Sequence, residues 1–162
     1  MGRAGLAQLQ QDRPAGLETE VFAFGRLPLA FSARCFAARN RNLPKDNCQY
    51  VCMDYPDGLL LETREGQGFL TINGIQTQSA WVYTLLEQVQ DLRDLGVNML
   101  RLSPQSQHMD AVVHLFNDVI EGRIQAIDAH EDMLPLLPAK ACNGFWHGRP
   151  GLAWVTPVSE RF

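Results

Sequence analysis

Apolar positions along this chain alternate between strand-like runs and stretches of helical period. "ETEVFAFG" gathers Val21, Phe22 and Phe24 into a short apolar run that reads as a strand, closed by Gly25. Before it, Leu6–Gln11 reads as the end of a helix, stopped by Pro14 and Gly16. "GLLLETREGQGFLTING" reads as a hairpin, with Leu59–Glu62 and Phe69–Ile72 strand-like and a glycine-containing turn over Arg64–Gly68. From Ser79, taken as an N-cap, Trp81, Leu85, Leu86, Val89, Leu92 and Leu95 repeat at helical spacing until Gly96. "NMLRLSP" is the next strand, ended by Pro104. Met109–Glu121 is a second amphipathic helix through Val112, Val113, Phe116, Val119 and Ile120, capped by Gly122, and a short third helix is predicted over Ile124–Leu134. The tail "ACNGFWHGRPGLAWV" is rich in glycine and aromatics and irregular, and no internal repeat or low-complexity linker interrupts the chain.

Strands alternating with helices predict βα units around a parallel sheet. A closed (β/α)₈ barrel takes about 250 residues, rarely as few as about 200, and this chain has 162. The expected fold class is therefore α/β, as a small open domain or as the C-terminal part of a longer TIM-type barrel. Two or three parallel βα units are expected, with the hairpin Leu59–Ile72 an excursion from them. The predicted core is Val21, Phe22, Phe24, Leu86, Val89, Leu100, Leu102, Val113, Phe116 and Ile120.

Composition narrows the setting. At 46% hydrophobic and 20% charged residues the chain is an ordinary globular domain, long enough to need no disulfide staple. "MGRAGLAQLQQDRPAG" has no apolar h-region, and no run of eighteen apolar residues occurs, so neither a signal peptide nor a membrane span is predicted. That reading places the chain in the reducing cytoplasm. The net charge of −4 runs against nucleic acid as a partner.

Three of the four cysteines, Cys35, Cys48 and Cys52, crowd into the polar stretch after the first strand. In a reducing compartment paired thiols are more often metal ligands than disulfides. Structural zinc usually takes two closely spaced cysteine pairs. One close pair with a single distant partner fits an iron–sulfur cluster better. Buried thiols packing as small hydrophobes are the competing reading, and a disulfide the weakest. Cys142, ninety residues beyond Cys52, reads as a buried cysteine in an aromatic corner as readily as a fourth ligand. Trp146 and His147 are candidates for substrate contact or for core and loop positions. His108, His114 and His130 have no metal-binding spacing, and no P-loop, nucleophile elbow or dinucleotide fingerprint is present.

"EVFAFGRLPLAFSARCFAARNRNLPKDNCQYVC", "YPDGLLLETREGQGFLTINGIQTQSA", "LRLSPQ" and "NGFWHGRPG" resemble the collagenase-like peptidase family, whose signature maps onto Glu20, Phe22, Gly25, Ala30, Ser32 and Cys35. Leu27-Pro28, "SARCF" and "NGIQTQSA" are most similar to its ubiquinone-biosynthesis branch. The resemblance covers nearly the whole chain. It implies a barrel-type fold and a [4Fe–4S] cluster with Cys35, Cys48 and Cys52 as three ligands. The fourth ligand is then expected outside this chain, which would be a single domain, 1–162, from the C-terminal portion of a longer barrel. It further implies oxygen-independent hydroxylation of a ubiquinone precursor in a heterodimer with a homologous UbiU-type subunit, with prephenate as oxygen donor. RNA-base hydroxylation, the work of another branch, and a noncatalytic fragment retaining the fold are the alternatives. No protease constellation accompanies the peptidase name.

Overall fold

The computed structural model describes residues 1–156 and is organised around one long strand, β1 (Glu20–Phe31). Gly25 does not end this strand as expected. It takes φ +116°, and a Cβ there would lie 2.6 Å from the Cβ of Ser103. Glycine at this position lets a neighbouring strand approach the backbone of β1. Three residues on, Pro28 has no N–H to give, and the pairing register shifts on either side of it. Ser79 patches the ladder there: its Oγ accepts from the Leu27 N–H (2.9 Å) and donates to the Trp81 carbonyl (2.7 Å).

Around β1 stand β2 (Leu59–Glu62), β3 (Gly68–Asn73), β4 (Gln76–Thr84) and β5 (Met99–Leu102), in the order β2-β3-β4-β1-β5. A two-residue strand, β6 (Ala141–Cys142), pairs with β4 beyond the end of β3. The helices are α1 (Arg3–Asp12), α2 (Phe36–Asn40), α3 (Val89–Asp94), α4 (Met109–Ile120) and α5 (Ala126–Met133). The class is mixed α/β.

Three expectations are corrected. Only β1–β5 and β4–β6 run parallel; β1–β4, β2–β3 and β3–β4 are antiparallel. The sheet is therefore mixed, and among the described residues it is open. The predicted hairpin is present, its turn held by Thr63 Oγ1, which accepts from the N–H groups of Glu65 (3.2 Å) and Gln67 (3.3 Å). It is no excursion, because β3 pairs with β4 from Leu70↔Ser79 to Asn73↔Gln76.

The third correction concerns the helix predicted from Ser79. Ser79 and Trp81 lie on β4, and the helical segment is a 3-10 turn at Leu86–Gln88 followed by α3. β4 is flanked by strands on both edges, and Ser79, Ala80, Val82, Tyr83 and Thr84 are all buried. A strand buried on both faces loses its alternation, so the run from Trp81 to Leu95 imitated a helical stripe.

The core forms where α3, α4 and α5 cover β1 and β4. The Phe24 and Phe116 rings meet edge to face, 6.0 Å apart at 75°. Among the ten predicted core residues, Phe24, Leu86, Val89 and Phe116 are buried, while Val21, Phe22, Leu100, Leu102 and Ile120 pack partly buried against them. Val113 is the exception, 36% exposed. The buried stripe of α4 runs through Val112 and Phe116, four residues apart, and Val113 lies about 100° round the helix from Val112.

These two positions should therefore respond differently in equilibrium urea unfolding. Phe116→Ala is expected to cost about 3–5 kcal/mol. Val113→Ala should stay within about 1 kcal/mol of the parent.

Candidate metal centre

The cysteine loop leaves β1 and is tied down at its start. The Ser32 N–H donates to the Ile75 carbonyl (2.9 Å) and the Phe36 N–H to the Gly74 carbonyl (3.0 Å), so the β3–β4 turn holds it. Ser32 Oγ accepts from the Arg34 N–H (3.1 Å), a local turn that brings the chain to Cys35. Cys35 is the N-cap of α2, its Sγ accepting weakly from the Ala38 N–H at 3.5 Å. α2 in turn rests on β3.

Cys48 and Cys52 belong to two consecutive 3-10 turns. The first, Lys45–Asn47, follows Pro44 and ends at Cys48; the second, Val51–Asp54, contains Cys52. Between them Gln49 and Tyr50 both take φ +53°. Two consecutive non-glycine residues in the left-handed region cost roughly 1–2 kcal/mol each. Arg41 joins the two halves of the loop. It donates to the Tyr55 hydroxyl (2.6 Å), pairs with Asp54 at 3.6 Å, and lies over the Tyr55 ring.

All three cysteines are free and half-buried. The structure thus delivers Cys35, Cys48 and Cys52 to one loop. Among the described residues no group of three or more His, Cys, Asp or Glu side chains is disposed to hold a metal ion. The donor type fits an iron–sulfur cluster, whereas the arrangement and the count of three do not by themselves complete one.

Cys142 is 1% exposed on β6 within the core, and burial pushes its thiol up to about 12. Trp146 is also a core residue, its carbonyl accepting from the Arg3 N–H (3.0 Å). His147 is partly buried with Nε2 unpartnered among the described residues, and burial lowers its pKa. His108 precedes α4 at φ +58°, and His114 lies on the exposed side of that helix.

The sequence reading passed over a buried polar group beneath the C-terminal strap. Glu87 and His130 have side chains 3% and 7% exposed, with Oε1 and Nε2 3.9 Å apart. Glu87 Oε2, His130 Nδ1 and both amide atoms of Gln88 lack hydrogen-bond partners among the described residues. The His130 ring stacks on Trp154 at 4.3 Å and 10°. Burial pushes the Glu87 carboxyl up to about 7 and His130 down. The helical context of both Glu87 and His130 was legible beforehand, but not their pairing, since a single acidic residue inside an apolar run and a lone histidine carry no motif.

This chain belongs to peptidase family U32, whose sequence model matches residues 4–155. No solved structure matches it significantly. Among the described residues no helix is long and apolar enough to cross a membrane.

The Glu87 environment has a pH consequence. Its carboxyl is raised from 4.5 to about 7 on folding, so the folded state binds the proton more tightly, and stability present below pH 4.5 is lost as pH rises towards 7. Glu87→Gln removes this ionisation. In chemical unfolding the variant should match the parent near pH 4.5 and exceed it by about 1–3 kcal/mol at pH 8.

Proposed function

We propose that this U32 chain is the iron–sulfur subunit of an oxygen-independent hydroxylase in ubiquinone biosynthesis, similar to the family member called UbiV. The observation that carries this reading is the delivery of three free, half-buried thiols, Cys35, Cys48 and Cys52, to one loop of a U32 chain. In this reading they supply three thiolates to a [4Fe–4S] cluster, and the fourth ligand comes from outside this chain. Once bound, the cluster would pass electrons or activate the oxygen donor, for which prephenate is the proposed molecule and a ubiquinone precursor the acceptor.

The remaining parts of the proposal follow from the fold. The two parallel pairings, β1–β5 and β4–β6, and the helices that join β4 to β5 and β5 to β6 support reading this part of the chain as a portion of a TIM-type barrel, with the antiparallel β2–β3–β4 segment departing from it. β5 has a neighbour on one side only among the described residues, and an unpaired edge favours a further strand or a partner surface. A homologous UbiU-type subunit is the proposed partner, in a heterodimer. A reducing cytoplasm suits four free thiols. RNA-base hydroxylation is the less favoured branch, because a net charge of −4 opposes a polyanionic substrate.

Anaerobic reconstitution tests the cluster. The full chain, alone and with its partner subunit, is loaded with ferrous iron and sulfide, and bound iron, sulfide and visible absorption are measured. Loading should be weak and labile for the chain alone and stable in the complex. Cys48→Ser should abolish it and Cys142→Ser leave it unchanged; full iron loading of the Cys48 variant defeats the reading.

A further inference from the structure

The far end of β1 and the β3–β4 turn beside it carry apolar side chains without cover among the described residues. Phe31, the last residue of β1, is 73% exposed, and Ile75 in the turn is exposed as well. The two are held together, since Phe31 pairs with Gln76 and the Ser32 N–H donates to the Ile75 carbonyl. Phe36 joins them through its bond to the Gly74 carbonyl, and the cleft running from Phe36 along the hairpin is lined by Leu60 and Leu61, both exposed. Exposed apolar residues scattered singly need no explanation, whereas a contiguous set marks a surface that meets something else. These five stand on elements bonded to one another and form one patch.

The charges that accompany this patch have one sign. From Val21 to Lys45 the chain has five basic residues and no acidic one, which leaves nine basic and eighteen acidic residues, a net −9, for the rest. Arg26 is engaged within the sheet, donating to the Ser79 and Ala80 carbonyls, and Arg41 is engaged with Tyr55 and Asp54. Arg34 and Arg39 are exposed, and their guanidinium groups have no partner among the described residues. Arg39 lines the same cleft as Phe36, and Arg34 stands between Phe31 and Phe36 in the chain. The acids of the hairpin, Glu62 and Glu65, lie towards its opposite turn, with Arg64 between them.

We infer that this patch docks the protein on the surface of a membrane bearing anionic lipids, with Phe31, Phe36 and Ile75 entering the headgroup layer and Arg34 and Arg39 meeting lipid phosphates. Apolar side chains flanked by cations bind such a surface by combining burial at the acyl boundary with attraction to the headgroups. An acidic protein would be drawn by the same two cations. The bilayer fits better because the apolar groups project from a strand end and a turn tip, where lipid accepts them without a shaped partner, and because free guanidinium groups need only the sign of the lipid charge. The net −9 of the remaining chain is repelled by the same lipids, which selects this orientation. Docking brings the cysteine loop, which begins between Phe31 and Phe36, to the lipid surface. The inference stands on the patch alone and needs neither a cluster nor the ubiquinone reading.

The test is co-flotation of the metal-free full chain with vesicles of phosphatidylcholine alone or mixed two to one with phosphatidylglycerol. The chain should float with the mixed vesicles, stay behind with phosphatidylcholine, and be released as salt rises. Arg34→Gln and Arg39→Gln should each weaken binding about fivefold, the equivalent of about 1 kcal/mol per cation at an anionic surface. Phe31→Ala should weaken it as well, and Phe31→Trp should show a blue-shifted emission on the mixed vesicles only. All three positions are exposed, so the variants should keep the parent's circular dichroism. Equal binding to both vesicle types, binding to neither, or undiminished binding by the double Arg34→Gln, Arg39→Gln variant overturns the inference. So does retention on immobilised polyglutamate that matches the vesicles and ignores Phe31→Ala, which would assign the face to an acidic protein. Iron plays no part in these readouts, so a failure here and a failure of cluster loading are told apart.

Discussion

The approach of Ser103 to the bare backbone of Gly25 is the constraint from which the rest of the structure follows. Only a residue without a Cβ fits there, one position past Phe24, where β1 pairs with parallel β5 on one edge and antiparallel β4 on the other. The Ser103 N–H donates to the Phe24 carbonyl at 2.8 Å, which locks the contact into the ladder. The same passage turns Arg26 onto β4, and the strand then needs the bulge at Pro28 before it can deliver the chain to the cysteine loop. Structural tightness at residue 25 thus sets both the cation in the sheet and the origin of the thiols.

Much of the fold was legible because amphipathic elements announce themselves. α4 and α5, the β2–β3 hairpin and the β5 strand lie close to where their periodicity and breakers place them. The losses occur where tertiary context removes the signal. β4 is covered on both faces and both edges, so its apolar positions carry no period of two, and the helical spacing downstream was extended backwards through it. Val113 failed for a subtler reason: α4 has more apolar residues than its buried stripe can hold, and sequence alone does not say which of Val112 and Val113 lies at the centre. Gly25 read as a strand end because a glycine for close approach and a glycine for a turn are the same letter.

The candidate sites divide in the same way. Cys35, Cys48 and Cys52 were visible as a spacing, because thiols in a polar stretch stand out. Arg26, Glu87 and His130 were not, since an ordinary charged residue becomes unusual only once folding takes its water away. Each of these three is defined by what it lacks: Arg26 Nε, Glu87 Oε2 and His130 Nδ1 are without partners among the described residues. Buried polar atoms normally find partners, so such gaps are where a structure carries information that its sequence does not.

The cysteine loop can be weighed in these terms. Its ends are held, by the β3–β4 turn at Ser32 and Phe36 and by the Arg41–Tyr55 bond, while its middle consists of two short 3-10 turns joined through left-handed Gln49 and Tyr50. Such turns have poorer hydrogen-bond geometry than an α-helix and yield at little cost. Structural zinc bound by thiolates and imidazoles in finger peptides contributes roughly 10–16 kcal/mol, several times the strain that two left-handed residues hold at roughly 1–2 kcal/mol each. In the proposed reading, ligation by Cys48 and Cys52 would fall on the 3-10 turns between Pro44 and Asp54, the part of the loop whose hydrogen bonds oppose it least, while Cys35 would also keep its place at the N-terminus of α2.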